Sequence, residues 1–135
     1  MTERSIVRVA DVMEQDYAIV DGVATVAEAL AVMRQQNARF LIVAKRHEDD
    51  EFGIVMIADI AKQVLARNRS PERTNVYEIM SKPVLAVDAD MGLKYAVRLL
   101  DRFGVSRALV TDRGELVGMV TMRDMVLRYL GADAA

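Results

Sequence analysis

The sequence predicts an α/β fold of the layered α+β kind, made of two pseudo-twofold-related copies of one helix–strand–helix–strand–strand–helix unit. Three observations carry the prediction. First, the chain repeats itself. Val9-Ala-Asp-Val-Met13 returns 67 residues later as Val76-Tyr-Glu-Ile-Met80, and Gly53-Ile-Val-Met-Ile-Ala-Asp59 returns 65 residues later as Gly118-Met-Val-Thr-Met-Arg-Asp124. Second, the strand-length runs Phe40-Leu-Ile-Val-Ala44 and Gly53-Ile-Val-Met-Ile57 are apolar throughout, the pattern of a sheet covered on both faces. Third, Val26, Ala29, Leu30 and Met33 recur at helical spacing. An open solenoid needs about three units or more, so two copies are expected to face each other, bury one shared core and place any function in the cleft between them. The repeats span residues 8–70 and 75–131.

The elements follow in order. Arg8 to Glu14 reads as a short helical turn and Tyr17-Ala-Ile-Val20 as a strand. Thr25-Val-Ala-Glu28 has the spacing of a capping box, in which each side chain satisfies the other residue's free backbone N–H. It opens a helix over 25–37. The runs 40–44 and 53–57 are partner strands, and the charged stretch Lys45-Arg-His-Glu-Asp-Asp-Glu51 between them is a solvated hairpin loop. A helix from Ala58 to about Arg67 closes the first repeat. Asn68-Arg-Ser-Pro-Glu-Arg-Thr-Asn75 has the composition of a linker. The second repeat gives strand 84–87, helix 92–103, strand 107–111, strand 116–121 and helix 122–130. Asp112-Arg-Gly114 supplies the tight hairpin turn.

Composition bounds the function. In 135 residues, 53% hydrophobic and 28% charged, the chain has what a folded domain needs. Nine Met against seven aromatic residues point to a core of aliphatic and thioether packing. A net charge of −2 gives no electrostatic case for nucleic acid, and fourteen Arg against four Lys fits either phosphate binding or genome codon bias. No cysteine is present, so disulfides, thiolate metal sites and cysteine nucleophiles are absent. No apolar run nears the roughly 18 residues of a membrane span, and Met-Thr-Glu-Arg-Ser lacks a signal-peptide core. The expected compartment is the cytoplasm.

Chemistry is most plausible at Gly118-Met-Val-Thr121-Met-Arg-Asp124, where a buried strand runs into a helix. Thr-x-x-Asp is itself a capping signature, and that alone would explain it. The same geometry also suits a nucleotide. A helix N-terminus offers free N–H groups and a positive dipole end to phosphate, and a nearby carboxylate can accept both hydroxyls of a ribose. Gly118 would let the backbone bend or admit a close ligand.

Two such repeats, each ending in Gly-h-h-x-x-x-Asp before a helix, resemble a tandem pair of cystathionine β-synthase (CBS) domains, the Bateman module, over roughly residues 8–131. The resemblance implies a stand-alone regulatory module, not an enzyme. Such a module has no required cofactor, and its ligand is an adenine nucleotide of the AMP, ADP, ATP or S-adenosylmethionine type. It also implies homodimerisation and an unidentified regulated protein. Carried over by position, Thr121 and Asp124 match the residues that hold phosphate and ribose, and Met119 the backbone beside the adenine. Met13 and Ala18 match the wall, and Arg39 a position facing the phosphates. The second cleft would use Asp59, with Arg107 reaching across and Met80 and Leu85 as wall. There the hydroxyl expected before Asp59 is replaced by Met56, and the usual strand proline is absent at Ile42 and Leu109. The resemblance therefore implies one competent and one degenerate cleft. The alternative is a protein-interaction adaptor that has lost ligand binding.

Other candidates are weaker. His47, the only histidine, sits in a charged turn with no supporting base or nucleophile, and no metal site is expected there. Asp88 and Asp90 precede a helix as caps. Lys62, Arg67, Arg69 and Arg73 read as a solvated basic stretch. Ala29, Leu30 and Met33 on one helix, and Leu93, Val97, Leu99, Leu100 and Phe103 on the other, leave surplus apolar surface for a homodimer.

Overall fold

A computed structural model describes residues 6–81 and 85–133. Along the chain lie helix α1 (Val9–Val12), strand β1 (Ile19–Val20), helix α2 (Val26–Gln36), strands β2 (Phe40–Val43) and β3 (Gly53–Met56), and helix α3 (Ile57–Ile60). A π-helical turn (Ala61–Leu65) continues α3, and a 3₁₀ turn (Val76–Glu78) follows. Then come β4 (Ala86–Asp88), α4 (Leu93–Phe103), β5 (Arg107–Asp112), β6 (Glu115–Thr121) and α5 (Met122–Asp133). The two sheets, β1-β2-β3 and β4-β5-β6, each begin with a parallel pair and end with an antiparallel one. The mixed α/β architecture of the sequence reading holds. The strand expected at 84–87 starts partly outside the described residues.

Local signals explain the boundaries. Thr25 and Glu28 form the reciprocal cap of α2, with Glu28 N–H donating to Thr25 Oγ1 and Thr25 N–H to Glu28 Oε1, each at 3.1 Å. Asn37 ends α2 and Gly104 ends α4, both left-handed. In the β5–β6 hairpin Arg113 (φ 54°) and Gly114 (φ 82°) both have positive φ, as the tight two-residue turn demands. Asp88 does not cap α4, whose N-cap is Gly92; its carboxylate instead accepts from Asp90 N–H at 2.8 Å and folds the preceding turn.

The chain packs as two units whose limits differ from those of the repeats. The central unit is Tyr17–Val84; the terminal unit joins Met1–Asp16 to Leu85–Ala135. The expectation of one shared core is corrected accordingly, because the buried residues form two clusters. One holds Val26, Met33, Leu41, Val55 and Val76 of the central unit. The other holds Val9, Leu100, Val110, Val120 and Met125 of the terminal unit.

What assigns each leading segment is backbone hydrogen bonding. In the terminal unit, Leu93 N–H donates to Val7 C=O (3.0 Å) and Val9 N–H to Met91 C=O (2.8 Å). Glu14 and Met119 then exchange N–H···O=C bonds of 2.7 and 3.0 Å. The central unit repeats the scheme. Val26 N–H donates to Thr74 C=O (2.8 Å), and Ser81 and Ile54 exchange bonds of 2.9 and 3.0 Å. Val7 and Thr74 are 67 residues apart, so both copies follow one rule. The opening segment of repeat one straps the β6 strand of repeat two, and the opening segment of repeat two straps β3 of repeat one.

The stretch 68–75 is therefore no slack linker. Thr74, one of the few polar residues fully buried, donates its hydroxyl to Ser70 C=O (2.8 Å), while Pro71 C=O accepts from Ala27 N–H (3.0 Å). With Thr74 C=O and Thr25 Oγ1, three of the free N–H groups at the α2 N-terminus are satisfied. An Arg69–Glu78 ion pair at 2.6 Å ties the segment down. The Asn75 N–H, foremost, and then Arg69 hold the Glu78 carboxyl below its ordinary range.

Each strap presses on a glycine. A Cβ built on Gly118 would lie 2.9 Å from Glu14 C=O and 2.9 Å from Met13 Sδ; one on Gly53 would lie 2.8 Å from Met80 Sδ. The neighbour admitted by Gly118 is the strap. Because one of the two atoms it meets is backbone, Gly118→Ala is expected to destabilise the protein by about 1–3 kcal/mol, as overpacking does. Urea unfolding measures this, and an unchanged midpoint would contradict the packing described.

Candidate functional site

The terminal unit assembles four of the predicted residues along one strand-to-helix passage. β6 ends at Thr121, where the chain turns into the 12-residue helix α5. Thr121 Oγ1 accepts the N–H of Asp124 at 3.1 Å and caps the helix. Asp124, part-buried, makes no hydrogen bond or ion pair with its carboxylate among the described residues. Met119, buried, has its N–H and C=O bonded to Glu14. Met13 lies against Gly118. Ala18 and Arg39 belong to the central unit. Ala18 is in that unit's core and its carbonyl accepts from Ile42 N–H at 3.0 Å; Arg39 is exposed.

The equivalent passage in the central unit is wired differently. Met56 has no hydroxyl, so the helix that follows lacks a side-chain cap of the Thr121 type. Asp59 supplies the missing bond, its Oδ2 accepting Met56 N–H at 2.8 Å. The carboxylate that would meet a ribose is thus engaged by the backbone. The helix is also broken: α3 has four residues before the backbone widens into the π-helical turn. Met80 lies on Gly53 in this unit. Leu85 belongs to the terminal unit, where it packs against the core and accepts Leu109 N–H at 2.8 Å.

The two arginines carried over from the resemblance are not register-equivalent. Arg107 is the first residue of β5 and lies opposite Thr121, whereas Phe40 lies opposite Met56. Arg39 falls one position earlier, where its carbonyl accepts Ile57 N–H at 3.0 Å, as that of Ser106 accepts Met122 N–H at 2.8 Å. A shift of one residue turns a side chain to the opposite face. Arg107 thus belongs to the unit of Thr121 and Asp124, and its Nε is buried without a hydrogen-bond partner among the described residues.

Counting outward from the hairpin turn would pair Arg107 with Val120, but a bulge at Val110/Thr111 moves it to Thr121. Glu14 is a second residue the sequence reading missed. Its part is played by backbone, and the only sequence sign is the Val-x-x-x-Met repeat ahead of it.

Among the described residues no group of three or more His, Cys, Asp or Glu could hold a metal ion. No helix of the described residues is long and apolar enough to cross a membrane.

Comparison with known proteins places this geometry. A family model, the CBS domain, matches residues 9–66 and again 76–131. An uncharacterized protein of Methanopyrus kandleri is 30% identical over 89% of this chain, which spans 61% of that relative's length. The hexameric CBS-CP12 protein from bloom-forming cyanobacteria superposes with a TM-score of 0.86 at 33% identity, covering 97% of this chain and 77% of that one. The CBS domain pair of protein MJ0100, solved in complex with 5-methylthioadenosine and S-adenosyl-L-methionine, gives 0.75 at 25% identity, with 96% and 99% covered. The chain belongs to the CBS domain family and carries two copies of that domain in tandem.

Proposed function

We propose that this chain is a non-catalytic regulatory module that binds an adenine nucleotide, of the AMP, ADP, ATP or S-adenosylmethionine type, at the Thr121–Asp124 passage. In this reading it associates with itself and acts on a separate protein. One observation carries it: Thr121 caps α5, so the Asp124 carboxylate stays without a partner among the described residues. An ionised carboxylate is acceptor-only and can take two ribose hydroxyls at once. Phosphate would meet the α5 N-terminus, and Arg107, opposite Thr121, is the cation in the same unit that can reach it. The adenosine ligands named for the MJ0100 pair support the ligand class. A second reading, an adaptor that no longer binds ligand, is favoured by the Met56–Asp59 bond, which removes the matching carboxylate from use.

Calorimetric titration with AMP, ADP, ATP and S-adenosylmethionine separates the two. Asp124→Ala is expected to weaken binding by about 2 kcal/mol, the scale of a hydrogen bond to a charged group, or roughly 30-fold in Kd. Equal affinity of variant and wild type, with matching circular dichroism, would remove Asp124 from the site.

The wiring of the central unit makes a further prediction. Wild-type stoichiometry should approach one nucleotide per chain. In Met56→Thr, the new hydroxyl can cap the Asp59 N–H as Thr121 caps Asp124, and a second, weaker binding event should emerge in the titration. Two equivalent events already present in the wild type would contradict the difference drawn between Asp59 and Asp124.

A further inference from the structure

The apolar surplus expected on α2 and α4 is largely internal. Ala29, Met33, Leu93 and Leu100 are buried, and Leu30, Val97 and Leu99 pack against the cores. Phe103 remains 60% exposed, and it is joined by residues of α5, the helix packed against α4: Leu127 (55%) and Leu130 (59%). Tyr95 and Val126 are exposed on the same two helices. Around these apolar groups stand Lys94, Arg98, Arg102, Arg123 and Arg128, all exposed, with Asp101 the sole exposed acid among the described side chains of α4 and α5.

The central unit carries the same positions with opposite character. The repeat offsets bring Glu28, Ala31 and Gln35 of α2 onto Tyr95, Arg98 and Arg102. They bring Ala58, Ala61 and Lys62 onto Arg123, Val126 and Leu127. All six central residues are exposed. This face is small and near-neutral, Glu28 balancing Lys62, with Leu65, 75% exposed, as its one large apolar residue.

We infer that the α4–α5 face of one copy seats on the α2–α3 face of a second copy, so that self-association joins unlike faces. This rests on the self-association in the functional reading above and specifies its pairing. Like-on-like pairing would set five cations against their own copies, and like charges brought together at an interface are repulsive. It would also oppose Phe103 and Leu127 to equally large groups. Unlike pairing lays the bulky side chains over Ala31, Ala58 and Ala61 and gives the arginines Glu28, Gln35 and Gln36 as acceptors. Exposed aromatic, leucine and arginine groups are the side chains that interfaces concentrate. A large apolar patch rimmed by polar groups marks such a contact.

The pairing is tested by complementation. Leu127→Glu spoils only the α4–α5 face and Ala61→Glu only the α2–α3 face, and both positions are exposed, so each fold is checked by circular dichroism. Under unlike pairing, each variant alone sediments as a monomer of 15.0 kDa, because every contact needs one intact face of each kind. An equimolar mixture regains a dimer, because the intact α4–α5 face of one variant meets the intact α2–α3 face of the other. The cysteine-free sequence adds a second arm. Leu127→Cys mixed with Ala61→Cys should form a disulfide-linked dimer on mild oxidation, while neither alone should.

A wild type that sediments as a clean monomer at micromolar concentration overturns both this pairing and self-association itself. A wild-type dimer whose mixed variants stay monomeric, or a Leu127→Cys chain that cross-links to itself, overturns the pairing alone.

Discussion

The reciprocal bonds between Glu14 and Met119, matched by those between Ser81 and Ile54, are the constraint on which the rest of the structure depends. They attach each leading segment to the last strand of the other repeat's sheet. A backbone pair at 2.7 and 3.0 Å leaves no room for a side chain between the two chains, and glycine therefore stands at 53 and 118. With the strap in place, Met13 and Met80 cover those glycines, and Val9 and Val76 complete the two cores. Neither repeat, taken as a stretch of sequence, contains all of its own unit.

Much of this was legible in the sequence where the signal is local. The Thr25–Glu28 box, the Arg113-Gly114 turn and the apolar runs of β2 and β5 each state their structure within a few residues. The exchange of leading segments was not legible, because no local propensity records which strand a backbone N–H will find. The stretch 68–75 shows the same limit. Pro, Ser and Asn are the residues of loops, yet there Thr74 and Pro71 present their carbonyls to the α2 N-terminus. The surplus apolar surface was misplaced for a related reason. Leu30, Val97 and Leu99 had partners that a helical wheel does not show, whereas Leu127 and Leu130 lie exposed beyond the helices where the surplus was sought.

The candidate site follows the same division. The Thr121–Asp124 spacing and the Met56 substitution were readable, but their consequence depends on which atom caps the helix. A hydroxyl at the strand end takes the helix N–H and leaves the acid its lone pairs; a thioether does not, and the acid turns back to its own chain. One substitution thereby changes the state of a carboxylate three residues away. The register of Arg107 lay beyond sequence because a single bulge decides it.

The exchange of leading segments is the central claim, and fragments test it directly. Residues 17–84 form one continuous unit with its own strap; residues 8–70, the first repeat as sequence defines it, lack Thr74, Val76 and the Ser81 pair and carry a leading segment whose partners are gone. Circular dichroism and amide hydrogen exchange on the two fragments, in matched buffer, decide the matter. The account predicts that 17–84 keeps cooperative unfolding and protects the Ile54 and Val26 amides, while 8–70 shows neither. A cooperatively folded 8–70 alongside an unfolded 17–84 would contradict it.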